Sequence, residues 1–100
     1  MQTHSRQGDL LFVKQDTRRT TALAARPSNV IMVGEATGHA HRLQAGTILE
    51  APDGALYLDV THVTQVVHEE HGPITLDPGL WLVVRQREYS PEAIRTVLST

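Results

Sequence analysis

The chain has 100 residues, 40% hydrophobic and 20% charged, with a net charge of −2 and no cysteine. That size and composition describe one ordinary globular domain, and they argue against disorder, a membrane span and a nucleic-acid surface, which needs a concentrated cationic face. The missing cysteines exclude disulfides, thiolate nucleophiles and thiolate metal sites, so any metal must be held by nitrogen and oxygen.

Residues 1–7 are polar and read as a flexible N-terminus ahead of a single β-rich domain over 8–100. They lack the apolar segment of a signal peptide, so a cytoplasmic location is expected. Leu10-Leu11-Phe12-Val13, set between Gly8-Asp9 and Lys14-Gln15-Asp16, reads as a strand covered on both faces. From Thr17 to Ser28 the pattern dissolves into a long loop or one turn of helix. Such a helix ends by Ala25, because Arg26 precedes Pro27 and a residue before proline avoids the helical region. Asn29-Val30-Ile31-Met32-Val33 is β-branched and apolar, and Gly34 closes this second strand. Thr47–Ala51 and Ala55–Val60 flank Pro52-Asp53-Gly54, the clearest hairpin signal, since glycine accepts the positive φ that a tight turn demands. Thr61–His68 alternates weakly, with His62, Thr64, Val66 and His68 on one face, until Glu69-Glu70-His71-Gly72-Pro73 breaks it. Ile74-Thr75-Leu76 is short, Asp77-Pro78-Gly79 reads as a type II turn, and Leu80–Arg87 is the last long strand. Ser90-Pro91-Glu92 has the cap, first-turn proline and early acid of a helix start, and Ala93, Ile94, Val97 and Leu98 keep helical spacing. Turn signals about every ten residues predict a mainly β chain: a small antiparallel β-sandwich, roll or barrel with one short C-terminal helix.

The chemical signal lies in the histidines. In an extended strand alternate side chains share a face, so His39 and His41 present two imidazoles to one side. His68 and His71 form a second pair some thirty positions on, and the four together predict a site for a divalent metal, with Glu35 the first candidate for an oxygen ligand and Glu50, Glu69 or Glu70 behind it. Ligand type does not choose among zinc, iron, manganese, nickel and copper. The competing reading makes the same histidines hydrogen-bonded strand and turn residues. His62 reads as structural and His4 as part of the terminus. At strand spacing Arg85 and Arg87 face one way and could receive a carboxylate or phosphate, against the plainer reading of a solvated edge paired with Glu88 or Glu92. The serines lie in turns and termini with no nucleophile-elbow pattern, and no phosphate-binding glycine motif is present.

Gly34-x4-His39-x-His41 resembles the first half of a cupin metal motif, in which a β-barrel strand supplies two histidines to a divalent metal. The resemblance implies a glutamate just beyond the second histidine, where this chain has Leu43, Gln44 and Ala45, and a histidine after a later Pro-Gly, where Pro78-Gly79 is followed by Leu80, Trp81 and Leu82. A wider pattern is similar to small uncharacterised bacterial and phage-associated proteins. It comprises Gly34-Glu35-x-Thr37-Gly38-His39-Ala40-His41-Arg42, then His71-Gly72-Pro73-Ile74, then Arg85-Gln86-Arg87-Glu88-Tyr89 with Pro91-Glu92. It implies no activity.

Three functions follow as expectations. The first is a small cytoplasmic β-domain that binds a divalent metal ion through its histidine cluster. The second is a non-enzymatic, homo-oligomeric assembly or interaction module with a protein partner, of phage or mobile-element type, motivated by the small size and the Trp81-bearing strand. The third is a cupin-type metal-dependent enzyme with a pocket at the histidines. Neither a membrane nor a nucleic acid is expected as a partner.

Overall fold

The structure is a computed structural model that describes residues 2–16, 23–34 and 37–86. Among the described residues, ten strands form two antiparallel sheets facing each other across one core. The strands are β1 (His4–Gln7), β2 (Leu10–Lys14), β3 (Ala24–Arg26), β4 (Val30–Val33), β5 (Ala40–Leu43), β6 (Thr47–Glu50), β7 (Leu56–Val60), β8 (Thr64–Val67), β9 (Ile74–Leu76) and β10 (Gly79–Arg85). The larger sheet has the order β1-β2-β10-β7-β6-β3 and the smaller β4-β5-β8-β9. The two do not join into a closed barrel, so of the three architectures expected, a barrel is not the one formed.

Apolar alternation decides which way each strand faces. Leu10 and Phe12 from β2, Leu58 and Val60 from β7, Ile48 from β6 and Trp81 from β10 pack against Ile31, Leu43, Val66 and Leu76 of the smaller sheet. Trp81 is fully buried, its Nε1–H donates to the Asp77 carbonyl at 2.9 Å, and Lys14 Nζ lies 5.6 Å from the ring centroid. The tryptophan is therefore a core residue, and its strand offers no exposed aromatic face to a partner.

Several sequence expectations hold and others shift. The Pro52-Asp53-Gly54 hairpin forms, with Thr47 opposite Asp59 and Glu50 opposite Leu56. His4–Gln7, expected to be flexible, pair with Val13 to Leu10 as β1. Ala24–Arg26, expected as loop or helical turn, pair with Glu50 to Ile48. A single helical turn is too short to be stable, the proline after Arg26 favours extended backbone, and β6 offers a free edge. Asp77-Pro78-Gly79 does not reverse the chain: Gly79, at φ 153, already pairs with Val60, and the chain passes here from the smaller sheet to the larger. The C-terminal helix expected from Ser90 lies outside the described residues. No helix among the described residues is long and apolar enough to cross a membrane.

Two glutamines hold β1 to the smaller sheet. Gln2 Nε2 donates to Thr75 O at 2.7 Å while its Oε1 accepts from Asp77 N at 2.9 Å. At the other end of β1, Gln7 Nε2 donates to Val66 O and Gly72 O, both at 2.9 Å. This second attachment brings the β1–β2 turn over the histidines.

Candidate metal centre

Three turns meet at one end of the sandwich. The β4–β5 connection delivers His39, and the start of β5 delivers His41. Gly34 N–H donates to His39 O at 2.8 Å, Gly38 takes φ 75, and Thr37 Oγ1 accepts from His39 N at 3.1 Å. The β8–β9 connection delivers His68, Glu69, Glu70 and His71. Its first residue organises it, because His68 Nδ1 accepts the Glu70 N–H at 3.0 Å and the His71 N–H at 3.3 Å. The β1–β2 turn contributes Gln7, Gly8 and Asp9.

Strand register explains why histidine pairs far apart in the sequence converge. Arg42 lies opposite Val67 and Leu43 opposite Val66. Continued outward in the same antiparallel sense, that register sets position 41 against 68, 40 against 69 and 39 against 70. The contacts follow it. The His41 and His68 ring centroids are 4.4 Å apart, Ala40 N donates to Glu69 Oε2 at 2.9 Å, and His39 Nδ1 lies 3.0 Å from Glu70 Oε1. His68 is the hub, since it also meets His39 edge-on at 5.7 Å and His71 at 4.6 Å.

One set of candidate ligand atoms converges closely: a nitrogen from each of His39 and His68 and an oxygen from Glu69, all within 4.8 Å of one another. His39 Nδ1 lies 3.0 Å from Glu70 Oε1 without making a hydrogen bond to it, which leaves this covered nitrogen with no hydrogen-bond partner among the described residues. Glu69 is ionised. The Ala40 amide, its own backbone amide and then Arg42, whose Nη1 lies 3.0 Å from Oε1, hold its pKa at about 2. Both carboxylate oxygens keep unused lone pairs after those bonds.

His41 is set deeper, with 4% exposure. Its Nδ1 lies 2.9 Å from Gln7 Oε1 and its Nε2 3.5 Å from Asp9 Oδ1. Burial and then the adjacent His68 hold its pKa below the ordinary 6.5, although Asp9 acts in the opposite direction. Partial burial works to raise the Asp9 pKa, and the hydrogen bond and charge of Arg85 more than reverse it, so Asp9 stays below the ordinary 3.8. Arg85 Nε donates to Asp9 Oδ2 at 3.1 Å.

The residues singled out in the sequence are distributed as follows. His39, His41, His68 and His71 come together at this end. Glu35 lies outside the described residues, and the acid beside His39 and His68 is Glu69. Glu50 pairs with Arg26 at 3.7 Å, in a strand of the other sheet. Arg85 is engaged with Asp9 rather than presented to an anion, and Arg87 lies outside the described residues. Sequence reasoning missed Gln7 and Asp9. Gly-Asp is a two-residue hairpin signal, but the polar residues before it disguised the strand, and nothing local tells which face that turn would cover. An open groove of about 940 Å³, which includes Arg42, Gln65 and Val63, involves none of the histidines.

Residues 6–86 match a family described as a domain of unknown function, DUF8820. No curated protein and no solved structure matches the chain.

Proposed function

We propose that this chain, which belongs to the DUF8820 family, is a small β-domain that binds a divalent metal ion through His39, His68 and Glu69, with His41 and His71 flanking His68. The convergence of those three ligand atoms within 4.8 Å carries the reading. Two imidazoles and one carboxylate form a nitrogen-oxygen set suited to zinc and its neighbours, and a fourth position would be open to water or to a further ligand. Capture of the ion has a structural consequence. The His68 Nδ1 lone pair is held by the amides of Glu70 and His71, so the neutral ring carries its proton on Nε2. Ligation through Nδ1 displaces those amides, and ligation through Nε2 moves the proton to Nδ1, where they stand. Either way, metal binding rearranges the turn from His68 to Gly72.

Metal analysis of protein purified without a polyhistidine tag is the direct test. Stoichiometric metal is expected, or uptake of zinc, nickel or manganese with a rise in melting temperature, and His39→Ala or His68→Ala should lose it. Protein that holds no metal and shows no thermal shift with any of the three ions overturns the reading.

A second reading, a homo-oligomeric interaction module, draws on Val33 and Val63, the large hydrophobic residues that are exposed among the described residues, at 49% and 62%; Val33 lies on the edge strand β4. An open strand edge with an apolar side chain is a ready pairing surface. Light scattering that shows only monomer across micromolar concentrations removes it.

A further inference from the structure

We infer that the outer face of the larger sheet is a docking surface for the C-terminal segment of this same chain, which lies on it as an amphipathic helix over 91–98 and adds a third layer to the sandwich. None of the residues that carry the metal reading takes part.

In a sandwich of two sheets alternate side chains of each strand fill the core, and the others face water and are polar. The smaller sheet follows this rule, with Arg42, Gln44, Gln65 and Thr75 exposed on its outer face. The larger sheet does not. Leu10 and Phe12, Trp81 and Val83, Leu56 and Leu58, and Ile48 point into the core, so Leu11 and Val13, Leu82 and Val84, Tyr57, and Leu49 point outward. Register lines them up. Val13 lies opposite Leu82, Leu82 opposite Tyr57, Tyr57 opposite Leu49 and Leu49 opposite Ala25, an apolar row that crosses β2, β10, β7, β6 and β3. Leu11 and Val84 start a second row beside it.

An apolar sheet face of this extent needs a cover. Tyr57, in the middle of the row, is only 3% exposed, and Leu80, two residues along β10 from Leu82, 5%. Leu11, Val13, Leu49, Leu82 and Val84 are partly buried. This burial is present in a single chain, so the cover belongs to the chain itself, and a second copy is not needed to supply it.

Gln86 fixes where the remaining residues depart. Its N–H donates to Asp9 O at 2.9 Å, and its Oε1 accepts from Arg6 Nη1. Arg6 lies opposite Leu11, on the outer side of β1. The chain therefore leaves from the Val84 end of β10, an inner strand of the apolar face, and on the outer side. Arg87, Glu88 and Tyr89 then separate Gln86 from Ser90, an ordinary length for a strand-to-helix connection. Ser90-Pro91-Glu92 supplies the helix start, and Ala93, Ile94, Val97 and Leu98 form one apolar stripe. A helix over 91–98 is about 12 Å long. Running back along β10 it matches the stretch from Val84 to Leu80, about 13 Å at strand rise. Its width, about 10 Å, reaches the flanking strands β2 and β7. So short a helix is stable only when its apolar face is packed, and the row of Val13, Leu82 and Tyr57 provides the packing.

Carbon chemical shifts and methyl nuclear Overhauser spectra of the full chain test the assignment. Helical shifts are expected over 91–98, together with contacts from the Ile94 and Leu98 methyls to Val13, Leu82 and the Tyr57 ring. Those contacts should survive tenfold dilution and be absent between differently labelled copies in a mixed sample. Random-coil shifts over 91–98, or Ile94 and Leu98 methyls that touch no residue of the larger sheet, overturn the inference. Contacts seen only between differently labelled copies also overturn it, and show a second copy on the face instead. Leu98→Asp is expected to lower the urea midpoint, and Ser99→Asp, on the opposite side of the helix, to leave it unchanged; an unchanged midpoint in Leu98→Asp overturns the inference. Should Leu98→Asp fail to fold, the wild-type spectra decide.

Discussion

Gln7 shows how much one side chain can fix. Its amide joins β1 to Val66 and Gly72 and sets the tautomer of His41. Truncation to alanine strands two carbonyls and a ring N–H in a covered place, so Gln7→Ala is expected to cost about 2–3 kcal/mol, read as a lower denaturant midpoint with an unchanged slope. His41 predicts a pH effect in the metal-free protein. Its folded pKa lies below the ordinary 6.5, so the unfolded chain binds its proton first as pH falls. The stability this ring supplies is complete above 6.5 and declines as pH drops through the window just below it. Asp9 and Glu69 also have lowered values, but their contributions are lost only beneath the ordinary carboxylate values of 3.8 and 4.5, a separate window. Urea midpoints at about pH 7.5 and about pH 5.5 should therefore differ, lower at the acid end, and His41→Gln should flatten that difference. An equal midpoint at both pH values in the wild type contradicts the assignment.

Among the elements, the connections between sheets carry the strictest backbone demands. Gly46 sits where the chain leaves β5 for β6, at φ +113, and a Cβ there would lie 2.9 Å from the Asp59 carbonyl oxygen. That obstacle is backbone of the paired strand β7 and cannot swing away. Gly54, at the tip of the β6–β7 hairpin, has φ +92 with nothing within 4 Å of the added carbon. Gly54→Ala should thus cost only the left-handed conformation, about 1–2 kcal/mol, and Gly46→Ala clearly more, about 3 kcal/mol or above. Equal costs for the two, measured by denaturation, would show that φ alone governs both. The β5–β8 ladder is the element that makes the site: a shift of one residue would turn His68 away from His41 and Glu69 toward it.

For the whole molecule, the two sheets share a core and are further held by glutamine side chains at both ends of β1. The Gln2 and Gln7 attachments lie at opposite ends of a strand and share no partner. If each acts locally, Gln2→Ala and Gln7→Ala should add within about 0.5 kcal/mol in the double variant. A larger deviation would mean that loosening one end loosens the other, so that the sheets separate as rigid bodies. The same geometry bears on metal binding. His39, His68 and Glu69 all lie in connections of the smaller sheet, whereas Asp9, in the β1–β2 turn of the larger sheet, faces His41 from β5 of the smaller, so the His41–Asp9 pair links the two sheets.

The sequence by itself determined the materials. Binary alternation and turn residues specify a mainly β chain, the Asp-Gly hairpin and most strand positions, because these depend on neighbours a few residues apart. The absence of cysteine confines any metal to nitrogen and oxygen, and the i, i+2 spacing of His39 and His41 predicts one face of one strand, whereas β5 begins at Ala40 and His39 lies in the turn before it. Tertiary structure decided the rest. The pairing of β5 with β8 made His68 the centre of the cluster and chose Glu69 as the acid beside it, and register is set by the packed core rather than by local preference. The arrival of the β1–β2 turn from the other sheet brought Gln7 to Nδ1 of His41 and Asp9 to its Nε2. A run of residues carries no sign of what will lie across from it, because that depends on how two sheets close over a shared apolar interior.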